Sequence, residues 1–134
     1  MIIDEKNINR FIIKGLFDCS SQNITEIKFI PNNITYFYCD NNKLTKLPKL
    51  PNSLISLSCH SNYLTKLPKL PKSIIYLRCD NNKLKSLPYL SGNLIYIKSN
   101  DNNLNFFPNV HNIDKWNNII KLRKRLKIIK KILG

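Results

Sequence analysis

The chain has 134 residues, 43% of them hydrophobic, so it holds one domain with enough apolar surface to fold unaided and no room for a second. Lys and Arg number 22 against 8 Asp and Glu, and the resulting charge of +14 favours polyanions, acidic proteins or anionic membranes as neighbours. No apolar run approaches the ~18 residues of a membrane span, and three glycines in all exclude a Gly-rich phosphate loop.

Residues 1–13 carry Asp4, Glu5 and Asn7 near the start, and so lack the basic opening and apolar centre of a secretory signal. The expectation is an intracellular, reducing compartment, cytoplasm or nucleus. Asp4 is placed to cap a short helix in which Ile8, Phe11 and Ile12 share one face at i, i+3 and i+4.

From residue 14 to residue 113 the sequence repeats. Cys19, Cys39, Cys59 and Cys79 recur every twenty residues, and the next step falls on Ser99. The frame from Leu54 reads LISLSCHSNYLTKLPKLPKS; the frame before it reads ITYFYCDNNKLTKLPKLPNS and the one after reads IIYLRCDNNKLKSLPYLSGN. Degenerate copies begin at Lys14, with Ile24, Ile27 and Ile30, and at Leu94, with Ile97, Leu104 and Phe107, making about five coils. One copy buries too few apolar side chains, such as Leu54, Leu57, Cys59, Leu64, Leu67 and Leu70, to offset the ordering of twenty residues. Stability must come from stacking coil on coil. The alternating L-x-x-L-x-C segment predicts a short strand of a parallel sheet on the concave side. Pro48, Pro51, Pro68, Pro71 and Pro88 fix φ and remove amide donors, which predicts an extended, polyproline-like convex side.

The shared pattern, L-x-x-L-x-C-x-x-N-x-L-x-x-L-P-x-L-P-x-x, resembles the leucine-rich repeat in its shortest form. It is similar to the LPxLP repeats of the bacterial effectors IpaH and YopM and to repeats in large DNA viruses. The resemblance covers Lys14 to about Ile113 and implies a right-handed solenoid that binds a protein, in the effector case a host protein. The ubiquitin-ligase domain of the IpaH group has no counterpart, because too little chain follows Ile113.

Residues 114–134 predict a longer helix with Asp114 as its N-cap, ending at Gly134. Ile119, Leu122, Leu126, Ile129 and Leu133 are spaced 3, 4, 3, 4, with Trp116 and Ile120 widening the stripe, and the expected cover for this face is the last coil. Its other side carries Lys121, Arg123, Lys124, Arg125, Lys127, Lys130 and Lys131. With Lys115 and Asp114 the segment has eight basic residues against one acidic, +7 of the chain's +14. This face reads as a solvated cap, a nucleic-acid or polyanion patch aided by Lys46, Lys49, Lys66 and Lys69, or a membrane-surface element.

Three groups of positions remain to be weighed. The cysteines point inward as small apolar residues, and stacked strands would set them in a line, which cannot wrap a metal ion. Asn42, Asn62, Asn82 and Asn102, with Gln22 in the first coil, would form a ladder of buried amides at the strand-to-turn bend. The outward strand positions are free of packing demands. Their columns are Leu16, Tyr36, Ser56, Tyr76, Tyr96; then Asp18, Tyr38, Ser58, Arg78, Lys98; then Ser20, Asp40, His60, Asp80, Asn100. They describe tyrosines flanking a notch at Ser56 and Ser58, and Tyr36, Tyr38, Ser56, Ser58, His60, Tyr76, Arg78, Asp80, Tyr96 and Lys98 are the candidate partner-binding residues. His60, set between Asp40 and Asp80, and His111 lack a nucleophile or oxyanion site, so the expectation is no enzyme, no cofactor and no metal. The leading expectation is a protein-interaction module. A polyanion binder or a structural subunit of a particle is the alternative.

Overall fold

A computed structural model describes residues 1–105 and 112–133, with the backbone alone for 115, 116 and 133. The expectations for Phe107, His111 and Gly134, and for the side chains of Trp116 and Leu133, fall outside the described residues. The elements are β1 (Ile2–Ile3), a 3-10 turn (Ile8–Phe11), β2 (Ile12–Ile13), β3 (Leu16–Asp18), β4 (Glu26–Ile27), β5 (Tyr36–Tyr38), β6 (Ser56–Ser58), β7 (Tyr76–Arg78), β8 (Tyr96–Lys98) and α1 (Ile113–Leu133).

Strands β3, β5, β6, β7 and β8 form one parallel run in which each residue pairs with the residue twenty positions on. That register places Phe17, Phe37, Leu57, Leu77 and Ile97 in one inward column. The first four are fully buried, and the Phe17 and Phe37 rings pack with centroids 4.9 Å apart. Beyond each strand the cysteine amide donates to the next coil, as Cys39 does to the Tyr38-equivalent carbonyl of Ser58 at 2.9 Å. Leu44, Leu64 and Leu84 are all fully buried and belong to one continuous core that runs from Ile3 to Ile113. The convex stretches around Pro48, Pro51, Pro68 and Pro71 hold neither helix nor strand. A tight turn follows each of three prolines, with Ile34, Leu54 and Ile74 donating to the carbonyls of Pro31, Pro51 and Pro71.

The amide ladder is present and joins neighbouring coils. Asn62 Oδ1 accepts from the Leu44 amide at 3.0 Å, while its Nδ2 donates to the Cys39 carbonyl at 3.0 Å and to the Cys59 carbonyl at 3.2 Å. Asn42, Asn82 and Asn102 repeat the arrangement. Gln22 does not: its side chain is exposed and reaches only Ser20 of its own coil, since its extra methylene carries the amide beyond the bend. Two further periodic features escaped the sequence reading. Ser53 and Ser73 hydroxyls donate to the preceding coil, at 2.7 and 2.8 Å to the Asn32 and Asn52 carbonyls. Ser21, Asn41, Ser61, Asn81 and Asp101 all take positive φ, between 52° and 57°, so each coil bends through a left-handed residue at this position, and the first coil adds a second at Asn23, at 55°.

The N-terminal cap departs from the expected helix. Ile8, Phe11 and Ile12 do pack against the core, but through a single 3-10 turn between strands. β1 pairs in parallel with β4, and β2 folds back antiparallel onto β3 through the two-residue turn Lys14-Gly15, both at positive φ. The physical cause is local. Paired β-branched residues at Ile2-Ile3 and Ile12-Ile13 favour strands, and a turn with glycine at its second position suits a tight hairpin.

At the other end α1 begins at Ile113, so Asp114 lies in its first turn and is not its cap; of the predicted face Ile120 packs against the core, but most of the stripe does not dock. Ile113 and Asn117 are buried, and the Asn117 amide brackets Leu90, accepting from its N–H at 2.9 Å and donating to its carbonyl at 2.7 Å. Leu122, Leu126 and Ile129 remain 55%, 56% and 48% exposed. The last coil therefore does not cover the 3, 4, 3, 4 stripe, because a buried polar anchor fixes the helix on a different side.

Candidate interaction face

Parallel register carries every outward column to the concave side, and there it builds a cleft of roughly 380 Å³. Ser56 and Ser58 are both buried and form its floor; Tyr36, Tyr38 and Tyr76 stand around it, with Ile55 and Ile75 at one end. The small serines of β6 between the tyrosines of β5 and β7 create the depression. Tyr76 and Tyr96 stack at 4.5 Å between centroids with planes 5° apart, so two of the aromatic side chains are ordered before anything binds. Tyr36 is 43% exposed. Burial, and then the neighbouring Tyr96, push the Tyr76 hydroxyl above its ordinary value, so it stays a neutral hydrogen-bonding group.

Two carboxylates organise the rim. Asp40 Oδ1 accepts from the Ser58 hydroxyl at 2.7 Å and from the His60 amide at 3.0 Å, and lies 3.5 Å from His60 Nε2. Burial raises its affinity for a proton above the ordinary carboxylate level, and the hydrogen bond from Ser58 and the His60 ring hold that rise back. The outward columns contained Asp40, but it was not singled out as a contact residue; the structure puts it in the wall of the cleft. Asp80 is 5% exposed and receives Arg78 Nε at 2.9 Å and Lys98 Nζ at 3.5 Å. Burial works to raise its pKa, but the Arg78 bond and the charges of Arg78 and Lys98 outweigh it, holding the carboxyl below its ordinary value. Asp80 is thus a positioning group for Arg78 and Lys98, while His60 pairs with Asp40 on the other side.

The cysteine column is buried throughout, and all four thiols are free. Burial, with Asp18 and Asp40 adding to it, pushes the Cys19 thiol up to about 12, and burial with Asp80 does the same to Cys79. Cys39 and Cys59 are raised well above the ordinary thiol for the same first reason, so none of the four is a thiolate near neutral pH. Among the described residues no group of three or more His, Cys, Asp or Glu could hold a metal ion.

Of the basic helix residues, Arg123, Lys124, Lys127 and Lys130 line a second, wider cleft with Lys69, Pro88 and Tyr89 of the solenoid. Lys121, Arg125 and Lys131 are exposed and lie outside that cleft.

A coil repeated every twenty residues, a leucine core, an asparagine ladder and a parallel concave sheet define a leucine-rich-repeat solenoid. Solved structures it resembles include YopM and a Shigella effector leucine-rich-repeat domain. YopM from Yersinia enterocolitica is 31% identical over 69% of this chain, with a TM-score of 0.68. A Shigella effector leucine-rich-repeat domain is 28% identical over 77%, with a TM-score of 0.72. YopM from Yersinia pestis is 36% identical over 66%, with a TM-score of 0.59. The chain spans 21%, 48% and 27% of those three chains, respectively. No protein-family model matches the sequence, and no curated protein does.

Proposed function

We propose that this chain is a non-catalytic protein-interaction module that grips a protein partner on its concave strand face. The observation that carries the reading is the serine-floored cleft walled by Tyr36, Tyr38 and Tyr76, beside the Tyr76–Tyr96 stack. Tyrosine offers large contact area with a polar tip and loses little conformational freedom on binding, and the stack has already ordered two of the side chains concerned. Arg78, aimed by Asp80, adds a cationic anchor at the edge for an acidic or carbonyl group. The similarity to effector leucine-rich-repeat domains supports a protein as the ligand.

Capture of partners by the full chain, compared with the variant carrying Tyr36→Ala, Tyr76→Ala and Tyr96→Ala, tests the reading. Loss of the captured proteins is expected with the solenoid still folded. Equal capture by both forms excludes the concave face.

A further inference from the structure

Helix α1 presents an apolar surface that nothing in the described chain covers. Leu122, Ile128, Ile129 and Ile132 are 55%, 59%, 48% and 74% exposed, and none of them lines the cleft between helix and solenoid. At about 100° per residue these four fall within an arc of roughly 120°. The docking contacts Ile113 and Ile120, together with the cleft-lining Arg123, Lys124, Lys127 and Lys130, lie around the other side, and the anchor Asn117 borders the arc about three turns before Ile128. The helix is anchored over its first turns and leaves this arc, further along its length, to solvent.

The charges on and beside that arc decide what can cover it. Lys121 and Arg125 lie within it, and both are exposed with the rest of residues 121–132. Pairing with a second copy through this arc would set Lys121 and Arg125 of one helix against the same residues of the other. Such like charges oppose association. Nucleic acid would engage the cations but leave four large aliphatic side chains in water. A surface that is apolar within and anionic at its boundary satisfies both. We propose that α1 lies in the plane of an anionic lipid bilayer, with Leu122, Ile128, Ile129 and Ile132 in the acyl boundary and Lys121 and Arg125 reaching up to the headgroups. Long basic side chains are suited to this, since their stems cover apolar surface while the charged heads remain among phosphates. The helix has no 18-residue window apolar enough to cross a membrane, which agrees with lying on it.

Flotation of the full chain with vesicles of phosphatidylcholine alone, or with about 30% phosphatidylserine, tests the proposal at 0.1 and 0.5 M salt. Binding is expected to the anionic vesicles only and to weaken at the higher salt. Changing Leu122, Ile129 and Ile132 together to Ser is expected to lower the partition by at least about tenfold, because the apolar insertion is lost while the charge is kept. Ile132→Ser alone, at the most exposed of these positions, gives a smaller loss and serves if the triple variant folds poorly. Failure to bind phosphatidylserine vesicles at 0.1 M salt overturns the proposal. So does binding that the serine substitutions leave unchanged, which would mean charge attraction alone. Concentration-dependent self-association abolished by the same substitutions would assign the face to a second copy instead. Binding to a single-stranded oligonucleotide that displaces the vesicles and ignores the serine substitutions would assign the helix to nucleic acid.

Discussion

The two ends of the solenoid are closed in different ways. At the N-terminal end the cap continues the backbone hydrogen bonding of the coils. β2 covers the outer edge of β3, β1 pairs with β4, and Ile3 and Ile8 sink into the core at 0% and 3% exposure. At the C-terminal end β8 has no strand partner beyond β7 among the described residues, and Ile95 is 72% exposed. The helix there is held at its start, through Ile113, Asn117 and Ile120; beyond them one side flanks an open cleft against the solenoid, and Leu122, Ile128, Ile129 and Ile132 stay in solvent. A cap made of strands inherits the register of the solenoid and seals it. A cap made of a helix needs complementary side chains at each contact, and here the contacts at its start leave Leu122, Leu126 and Ile129 exposed.

That contrast can be broken at several points. Ile3→Ala removes a fully buried side chain from the sealed end and is expected to cost about 2–4 kcal/mol, measured by urea unfolding. Asn117→Ala leaves the buried N–H and carbonyl of Leu90 without their helix partner. A loss of about 2 kcal/mol is expected, with faster amide exchange at Leu90 and through α1 but not in β1 or β2. Asp80→Asn probes the concave rim between the ends, and a loss of about 1 kcal/mol is expected at pH 7. The Asp80 pKa is lowered in the folded chain, so its contribution is present above the ordinary value of 3.8 and is lost as pH falls through the folded value. Thermal melts of the two forms should therefore converge once the pH has fallen below the folded value. Leu122→Ala, in contrast to Ile3→Ala, is expected to change stability by no more than about 0.5 kcal/mol, because its side chain is already half in water. A large loss there would mean that the helix face is covered after all.

The periodic part of the molecule was legible in the residues. A strict twenty-residue spacing of Leu, Cys, Asn and Pro can satisfy its inward side chains and amides only by stacking in register, so the core, the Asn62-type bridges and the outward tyrosine columns followed from position alone. The serine notch was visible for the same reason: two small residues between tyrosines in adjacent strands leave a depression whatever else surrounds them. Cues for the N-terminal strands were present in the paired isoleucines and Lys14-Gly15, but a helical spacing of Ile8, Phe11 and Ile12 competed with them. Strand pairing decided between the two: β2 closes a local hairpin with β3, but the partner of β1 is β4, more than twenty residues further along the chain. Tertiary structure alone settled the rest. Asp80 could be seen facing outward, but its burial under Arg78 and Lys98 depends on two neighbouring coils at once. The stripe on α1 could be seen as apolar, but which side of the helix meets the solenoid was fixed by one amide on Leu90, a contact between residues 27 apart that no local pattern encodes.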